Sequence, residues 1–236
     1  MLDQISTRIF ADGADIDGML VLAADPRIDG FTTNPTLMHN AGLADYAEFA
    51  RLLLERIDHH PISFEVFADD PHEMRRQARI IAAWGENVYV KIPITTTTGE
   101  STAALVRELS EDGVKVNVTA LFTTAQVELV TTAVSDGAPS YVSVFAGRVA
   151  DAGVDPVPIM ARAVEIIAGA PRSQLIWASS REILNLIQAD RVGCHIITFT
   201  HDLLRKLDCL GTDLEQYSLE TVRMFHRDAV AAGFEL

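Results

Sequence analysis

Short runs of β-branched and aromatic residues recur along the chain, over 8–11, 30–33, 62–67, 88–92, 115–119, 141–145, 174–178 and 194–199. Their starts lie 20 to 33 residues apart, about the length of one βα unit. Between them apolar residues return at intervals of three and four, as in "YAEFARLLLERI". That period predicts helices over 44–57, 71–84, 101–110, 124–134, 157–168 and 181–188. Asp70 followed by Pro71 suits a helix cap with a first-turn proline. Gly85, Gly113 and Gly137 each close a helical pattern shortly before a strand.

Strict strand–helix alternation predicts an α/β protein with a parallel sheet, and eight units predict a closed (β/α)8 TIM barrel. A doubly wound open sheet is the second choice, weakened because no GxGxxG follows the first strand. No linker or composition shift divides the chain, so residues 1–236 are expected to form a single domain. Its last part, about 202–236, reads as a helical extension with segments at 202–207 and 218–232. The final helix exceeds what eight units need, and suits either the barrel's bottom or a neighbouring subunit.

Composition removes several classes of function. The formal net charge of -14, with no basic stripe, argues against nucleic acid, whose binding rests on neutralising phosphates. No basic amphipathic segment suits anionic lipid, and no apolar stretch spans a bilayer, so no membrane partner is expected. The start, MLDQISTRIF, lacks the regions of a signal peptide. Cys194 and Cys209 do not make a disulfide framework, which points to a reducing cytoplasm. The seven histidines show no HExxH or Cys/His ligand spacing, so no metal is expected.

The candidate chemistry begins with "VYVKIP", an apolar strand with Lys91 in its middle. A buried ammonium without a partner is costly, so such a lysine has a task unless it lies on an edge strand facing water. Barrel active sites form at the C-terminal ends of the strands. There the chain offers Asp12, then Thr32-Thr33-Asn34-Pro35, Glu65, Lys91, and the pair Asn117 and Thr119. Ser143 and Phe145, Arg148 just beyond, and Ser179-Ser180-Arg181 follow. Each also fits a purely structural role: Asp12 or Ser179 as a helix cap, Asn34 as a turn initiator, Arg148 and Arg181 as solvated charges. Polar groups on seven of eight strands at one rim are harder to explain that way.

A lysine amine attacks carbonyls, and the iminium it forms is an electron sink. Asp12 is placed to take the hydroxyl proton when a neighbouring C–C bond breaks, and Glu65 with Thr119 to move protons to and from a water. Asn34, Asn117 and Ser143 suit the hydroxyls of a short ketose. Arg148 and Arg181, with Ser179 near a helix N-terminus, suit a phosphate.

The stretches "GFTTNPTL", "VYVKIPIT", "VNVTALFTTAQ", "SVFAGRVAD" and "ASSREIL" resemble the signatures of transaldolase and its relative fructose-6-phosphate aldolase, in order, from Asp12 to Arg181. The resemblance implies a cofactor-free class I enzyme with Lys91 as Schiff-base lysine and Asp12 as acid/base. It also implies Glu65, Thr119 and a water as proton relay, and Thr32, Asn34, Asn117 and Ser143 at the dihydroxyacetone unit. Arg148, Ser179 and Arg181 would hold the phosphate. The length resembles a short subfamily that forms rings of five subunits, often stacked as ten. The aldolase branch usually carries glutamine at the place of Glu65 and tyrosine at that of Phe145, and tends to lack Asn117. All three point to the transaldolase branch, acting on sugar phosphates. The alternatives are an aldolase releasing dihydroxyacetone, a transaldolase for a variant such as a sulfonated sugar, and a non-catalytic sugar-phosphate binder. The threonine-rich loop 95–101 is longer than the resemblance leads one to expect, and is placed near the mouth.

Overall fold

The computed structural model describes residues 2–42 and 45–235. Met1, Leu43, Ala44 (the first residue of the helix expected over 44–57) and Leu236 lie outside them. Eight parallel strands close into a barrel in sequence order, so the open-sheet alternative falls. They are β1 (Arg8–Asp12), β2 (Ile28–Thr32), β3 (Ile62–Glu65), β4 (Val88–Pro93), β5 (Val116–Leu121), β6 (Ser140–Val144), β7 (Ser173–Trp177) and β8 (Ile196–Thr200). β3 stops two residues earlier than the apolar run because Gln77 Oε1 takes the amides of Phe67 and Ala68, drawing them out of the ladder.

The helices run α1 (Ile16–Ala23), α2 (Pro35–Asn40), α3 (Tyr46–Leu54), α4 (Pro71–Ala82), α5 (Ala103–Glu111) and α6 (Thr124–Val134). After these come α7 (Ala146–Asp151), α8 (Pro156–Ile167), α9 (Leu184–Arg191), α10 (His201–Leu204) and α11 (Leu214–Ala232). Their starts are set by side-chain caps. Asp70 accepts from Glu73 N ahead of Pro71, and Thr123 and Gln126 form a reciprocal capping box. Of the three expected stop glycines, Gly113 takes the left-handed conformation with φ 88°. Gly137 instead gives Ser110 room, since a Cβ there would overlap the Ser110 hydroxyl.

Strand parity divides the barrel. One set of side chains, including Val90, Val118, Val142 and Leu175, is fully buried against the helices. The other set fills the interior. Phe10, Tyr141, Ile176 and Ile196 form its floor, with Tyr89 stacked on Tyr141 at 4.0 Å and Phe10 edge-on to Tyr141 at 5.6 Å. A Cβ at Gly30 would lie 2.7 Å from the Phe10 ring, so that place on β2 admits only glycine without a shift of the floor. Polar groups begin one step above this plug. The last helix behaves differently. None of the residues of α11 is buried, while Leu214, Val222, Phe225 and Val230 are exposed along it. No helix among the described residues is long and apolar enough to cross a membrane.

Candidate active site

In "VYVKIP", Val88, Val90 and Ile92 face the helices, and Tyr89 and Lys91 face the barrel interior. A closed barrel has no edge, so the water-facing reading of Lys91 fails. Only 8% of its side chain is exposed. Two groups satisfy the ammonium: the Thr33 carbonyl accepts from Nζ at 3.0 Å, and Glu65 Oε2 lies 3.1 Å away. Strand register makes this pairing. β3 sets Glu65 beside Lys91, and β4 sets Lys91 beside Asn117, so three neighbouring strands carry one polar row.

Asn117, the third member of that row, is fully buried. Its Nδ2 donates to Ser63 Oγ at 2.9 Å, and its Oδ1 accepts from Ser143 Oγ at 2.7 Å. The three-residue chain spans β3, β5 and β6 and leaves the Asn117 amide satisfied without a ligand. Asn117 is therefore a support under the cavity and not one of its lining residues.

The lining encloses about 470 Å³ at the C-terminal mouth of the barrel. Asp12, Thr32, Asn34, Glu65, Lys91, Thr119, Ser143, Phe145, Arg148 and Ser179, all singled out from the sequence, contribute to it. Asp12 accepts from Thr32 Oγ1 at 2.9 Å, as the pairing of their strands requires. Burial raises the Asp12 pKa above the ordinary carboxylate value; the Lys91 charge, the Thr32 hydrogen bond and the His201 charge oppose the rise. The Thr119 hydroxyl is buried and has no partner among the described residues. Asn34 serves two ends: its Oδ1 caps α2 by accepting from Leu37 N at 2.9 Å, leaving Nδ2 for a ligand.

Two non-glycine residues of the lining adopt left-handed backbone, Ala120 with φ 61° and Ser179 with φ 64°. Each such residue costs about 1–3 kcal/mol, and strain of this kind gathers where function needs it. Ala120 sits at a register shift between β5 and β6, which turns the end of β5 after Thr119. Ser179 is no helix cap, because α9 begins later, at Leu184. The Asn185 Oδ1 takes the amides of Arg181 and Glu182 instead, which removes them from the helix expected over 181–188.

Arg148 lies over the Phe145 ring, 5.3 Å from its centroid, with both on the cavity wall. Arg181 does not reach the lining; it is paired with Asp151 outside. Loop 95–101 also stays out of the lining. It folds as a small hairpin bridged between Thr95 and Ser101, and Thr97 anchors it by donating to Asp69. The sequence reading missed Thr198, which lines the cavity from β8, the one strand credited with no polar group. Interior parity with Ile196 was the available signal. It also missed His201, which follows β8 and lies against Gly13, with Nε2 2.9 Å from where a Cβ on Gly13 would stand.

Residues 9–236 match the sequence profile of the family described as transaldolase/fructose-6-phosphate aldolase. A protein from Dehalococcoides mccartyi described as a probable transaldolase is 36% identical over 201 residues, 85% of this chain and 89% of the relative. One from Methanococcus maripaludis, described the same way, is 34% identical over 201 residues with the same coverage of both chains. Among solved structures, an HpcH/Hpal aldolase/citrate lyase family protein from Burkholderia cenocepacia superposes with a TM-score of 0.58 at 15% identity. That match covers 92% of this chain and 95% of the other, and shows the shared barrel alone.

Proposed function

The chain belongs to the transaldolase/fructose-6-phosphate aldolase family, and within it we propose a class I transaldolase working through a Schiff base on Lys91. The observation that carries the reading is one amine set between two carboxyls of different character in one cavity. Glu65 lies 3.1 Å from Lys91 Nζ, and Asp12, its pKa raised by burial, lines the same space.

Lys91 passes an ammonium proton to Glu65, 3.1 Å away, and the freed amine adds to the keto carbon of a ketose phosphate, such as fructose 6-phosphate or sedoheptulose 7-phosphate. Loss of water from the carbinolamine gives the iminium. Glu65 moves the protons of this step, with a water held between it and the unpartnered Thr119 hydroxyl. Asp12 then takes the proton of the hydroxyl on the far carbon of the scissile bond, and that carbon becomes the aldehyde of the leaving fragment. The bond's electron pair flows into the iminium, an aldose phosphate leaves, and an enamine of dihydroxyacetone stays on Lys91. A second aldose phosphate accepts the enamine carbon while Asp12 returns its proton to the new hydroxyl, and hydrolysis frees the new ketose. This is a ping-pong sequence. Lysine supplies the electron sink, so the chemistry calls for no cofactor.

Phe145 on the cavity wall supports transfer over release, because its ring has no hydroxyl to help water protonate the enamine. Turnover of fructose 6-phosphate is expected to require an acceptor such as erythrose 4-phosphate. Without it, glyceraldehyde 3-phosphate should stop at one equivalent per active site in a coupled assay. Steady release of free dihydroxyacetone without acceptor would make the protein an aldolase instead.

The enzyme is further proposed to be a cytoplasmic homo-oligomer, with α11 covered by a second copy. Support comes from the exposed Leu214, Val222, Phe225 and Val230 on a helix with no buried residue. Light scattering is expected to give a multiple of 25.8 kDa. Phe225→Glu with Val222→Glu should return it to one chain; a wild-type monomer would remove the proposal.

A further inference from the structure

Two glycines follow β1, Gly13 in the loop and Gly18 inside α1, and neither adopts the left-handed backbone that would call for glycine. A side chain accounts for both. The imidazole of His201 lies between them: a Cβ on Gly13 would stand 2.9 Å from Nε2, and one on Gly18 2.7 Å from Cε1. The Asp15 cap of α1 shares the second place, with Oδ2 2.5 Å from the same point. Glycine inside a helix costs about 1 kcal/mol against alanine, so α1 gives up stability to seat the ring.

Strand pairing brings the ring here. Asp12 at the end of β1 is opposite Thr200 at the end of β8, so Gly13 and His201 follow side by side. Asp12 lines the cavity, and Gly13 has the opposite parity, which sets the imidazole behind the carboxylate and out of the lining. Nε2 is buried there without a hydrogen-bond partner among the described residues, while the ring also lines an outer cleft between α1 and α10. Burial raises the Asp12 pKa, and Lys91, Thr32 and His201 oppose the rise. Of those three, His201 alone lies outside the cavity lining. The other charged groups facing the ring are Asp15, Asp17 from α1, and Asp202 from its own helix. Arg27 and Arg205 share the outer cleft, but Arg27 is held by Asp25 and Asp208, and Arg205 by Asp202.

We propose that His201 is a positioning residue for Asp12, an imidazolium wedged behind the carboxylate that holds it in the anionic form from which cleavage starts. The proposal rests on the transaldolase reading for the role of Asp12 as acid/base. Lys91 cannot serve this end through the whole cycle, because its nitrogen is neutral in the enamine. At that stage Asp12 carries the proton taken from the first hydroxyl. A cation behind it then favours passing that proton to the oxygen of the acceptor aldehyde as the new C–C bond forms.

The pH profile of the first half-reaction tests this on the full-length enzyme. Single-turnover release of glyceraldehyde 3-phosphate from fructose 6-phosphate is followed in wild type, His201→Phe, His201→Gln and Gly13→Ala. Phenylalanine keeps a flat ring between the two glycines and removes the ring nitrogens with their charge, whereas Gly13→Ala pushes the imidazole away. All three changes are expected to move the acid limb to higher pH, because the Asp12 anion loses a cation. Rates at the foot of the limb should fall about 3- to 10-fold, and the plateau at higher pH should change less. The melting temperature of His201→Phe should stay near that of the wild type. An unmoved limb in the variants that fold would overturn the proposal and leave the ring as filling. Dihydroxyacetone supplies the control, since its borohydride-trapped adduct on Lys91 forms with no C–C bond for Asp12 to cleave. Its yield at each pH should be the same in wild type and variants. A yield that shifts together with the limb would place the effect on Lys91 and Glu65, and would also overturn the proposal. Absence of the adduct in the wild type would strike the catalytic reading itself, and the role of His201 with it.

Discussion

Lys91→Met is expected to abolish turnover, lowering kcat/KM by about 10⁴-fold or more, because no other group in the cavity can form an iminium. Methionine nearly matches the length of the side chain and keeps its apolar stem packed between β3 and β5. The stability of this variant carries separate information. Removing the ammonium leaves Glu65 facing a buried site without its partner, a change that costs roughly 3–5 kcal/mol in a sealed core. Glu65 is 14% exposed and lines the cavity, so the loss here is smaller. The double variant Lys91→Met with Glu65→Gln should recover that stability and remain inactive. Thermal melting with a coupled rate assay checks both halves. Residual turnover in either variant near the wild-type rate would exclude an imine route.

Asp12→Asn is expected to trade activity for stability. Loss of the acid/base lowers the cleavage rate by about 10²–10⁴-fold. The stability effect has the opposite sign, because burial raises the Asp12 pKa in the folded state. A raised pKa means the fold prefers the protonated carboxyl. That preference contributes stability below the ordinary carboxylate range, and the contribution is lost as pH rises through the folded-state value. Asparagine has the shape of the protonated acid, retains an oxygen for the Thr32 hydroxyl, and carries no such loss. Its melting temperature should therefore match the wild type at about pH 3 and exceed it at about pH 7. The same raised pKa places the acid limb of the wild-type pH–rate profile above that of an ordinary aspartate. A variant less stable than wild type at neutral pH would mean that the Asp12–Lys91 attraction, and not burial, governs this carboxyl.

The barrel was legible because each of its strands is a short β-branched run and most of its longer helices carry a buried stripe, as with Met74, Ala78 and Ile81 on α4. The helices missed were short. α2 and α7 have six residues each, less than two turns, and α1 has eight with a glycine inside and only Met19 buried. Periodicity has too few positions there to speak. The cavity row was legible for a related reason. Glu65, Lys91 and Thr119 interrupt apolar strands at the interior parity, and in a closed barrel that parity leads to one place.

Arg181 shows where such reading stops. Its motif, "ASSREIL", puts it next to Ser179, but the direction of its guanidinium is decided by Asp151, 30 residues earlier on another element. Asn117 is similar: the Ser63 and Ser143 hydroxyls that occupy its amide come from β3 and β6, and no local pattern announces them. His201 became visible only when the β1 and β8 ends were brought together, with Asp12 opposite Thr200. Residue type and parity found the wall of the site. Which way a polar group turns once there depends on partners distant in the chain.

The central claim is that Lys91 holds a dihydroxyacetone unit as a Schiff base. The direct measurement is incubation with fructose 6-phosphate, reduction with borohydride, and mapping of the modified peptide by mass spectrometry. A dihydroxyacetone-derived adduct is expected on Lys91 and none on Lys115 or Lys206. An unmodified Lys91 under conditions in which fructose 6-phosphate is consumed would contradict it.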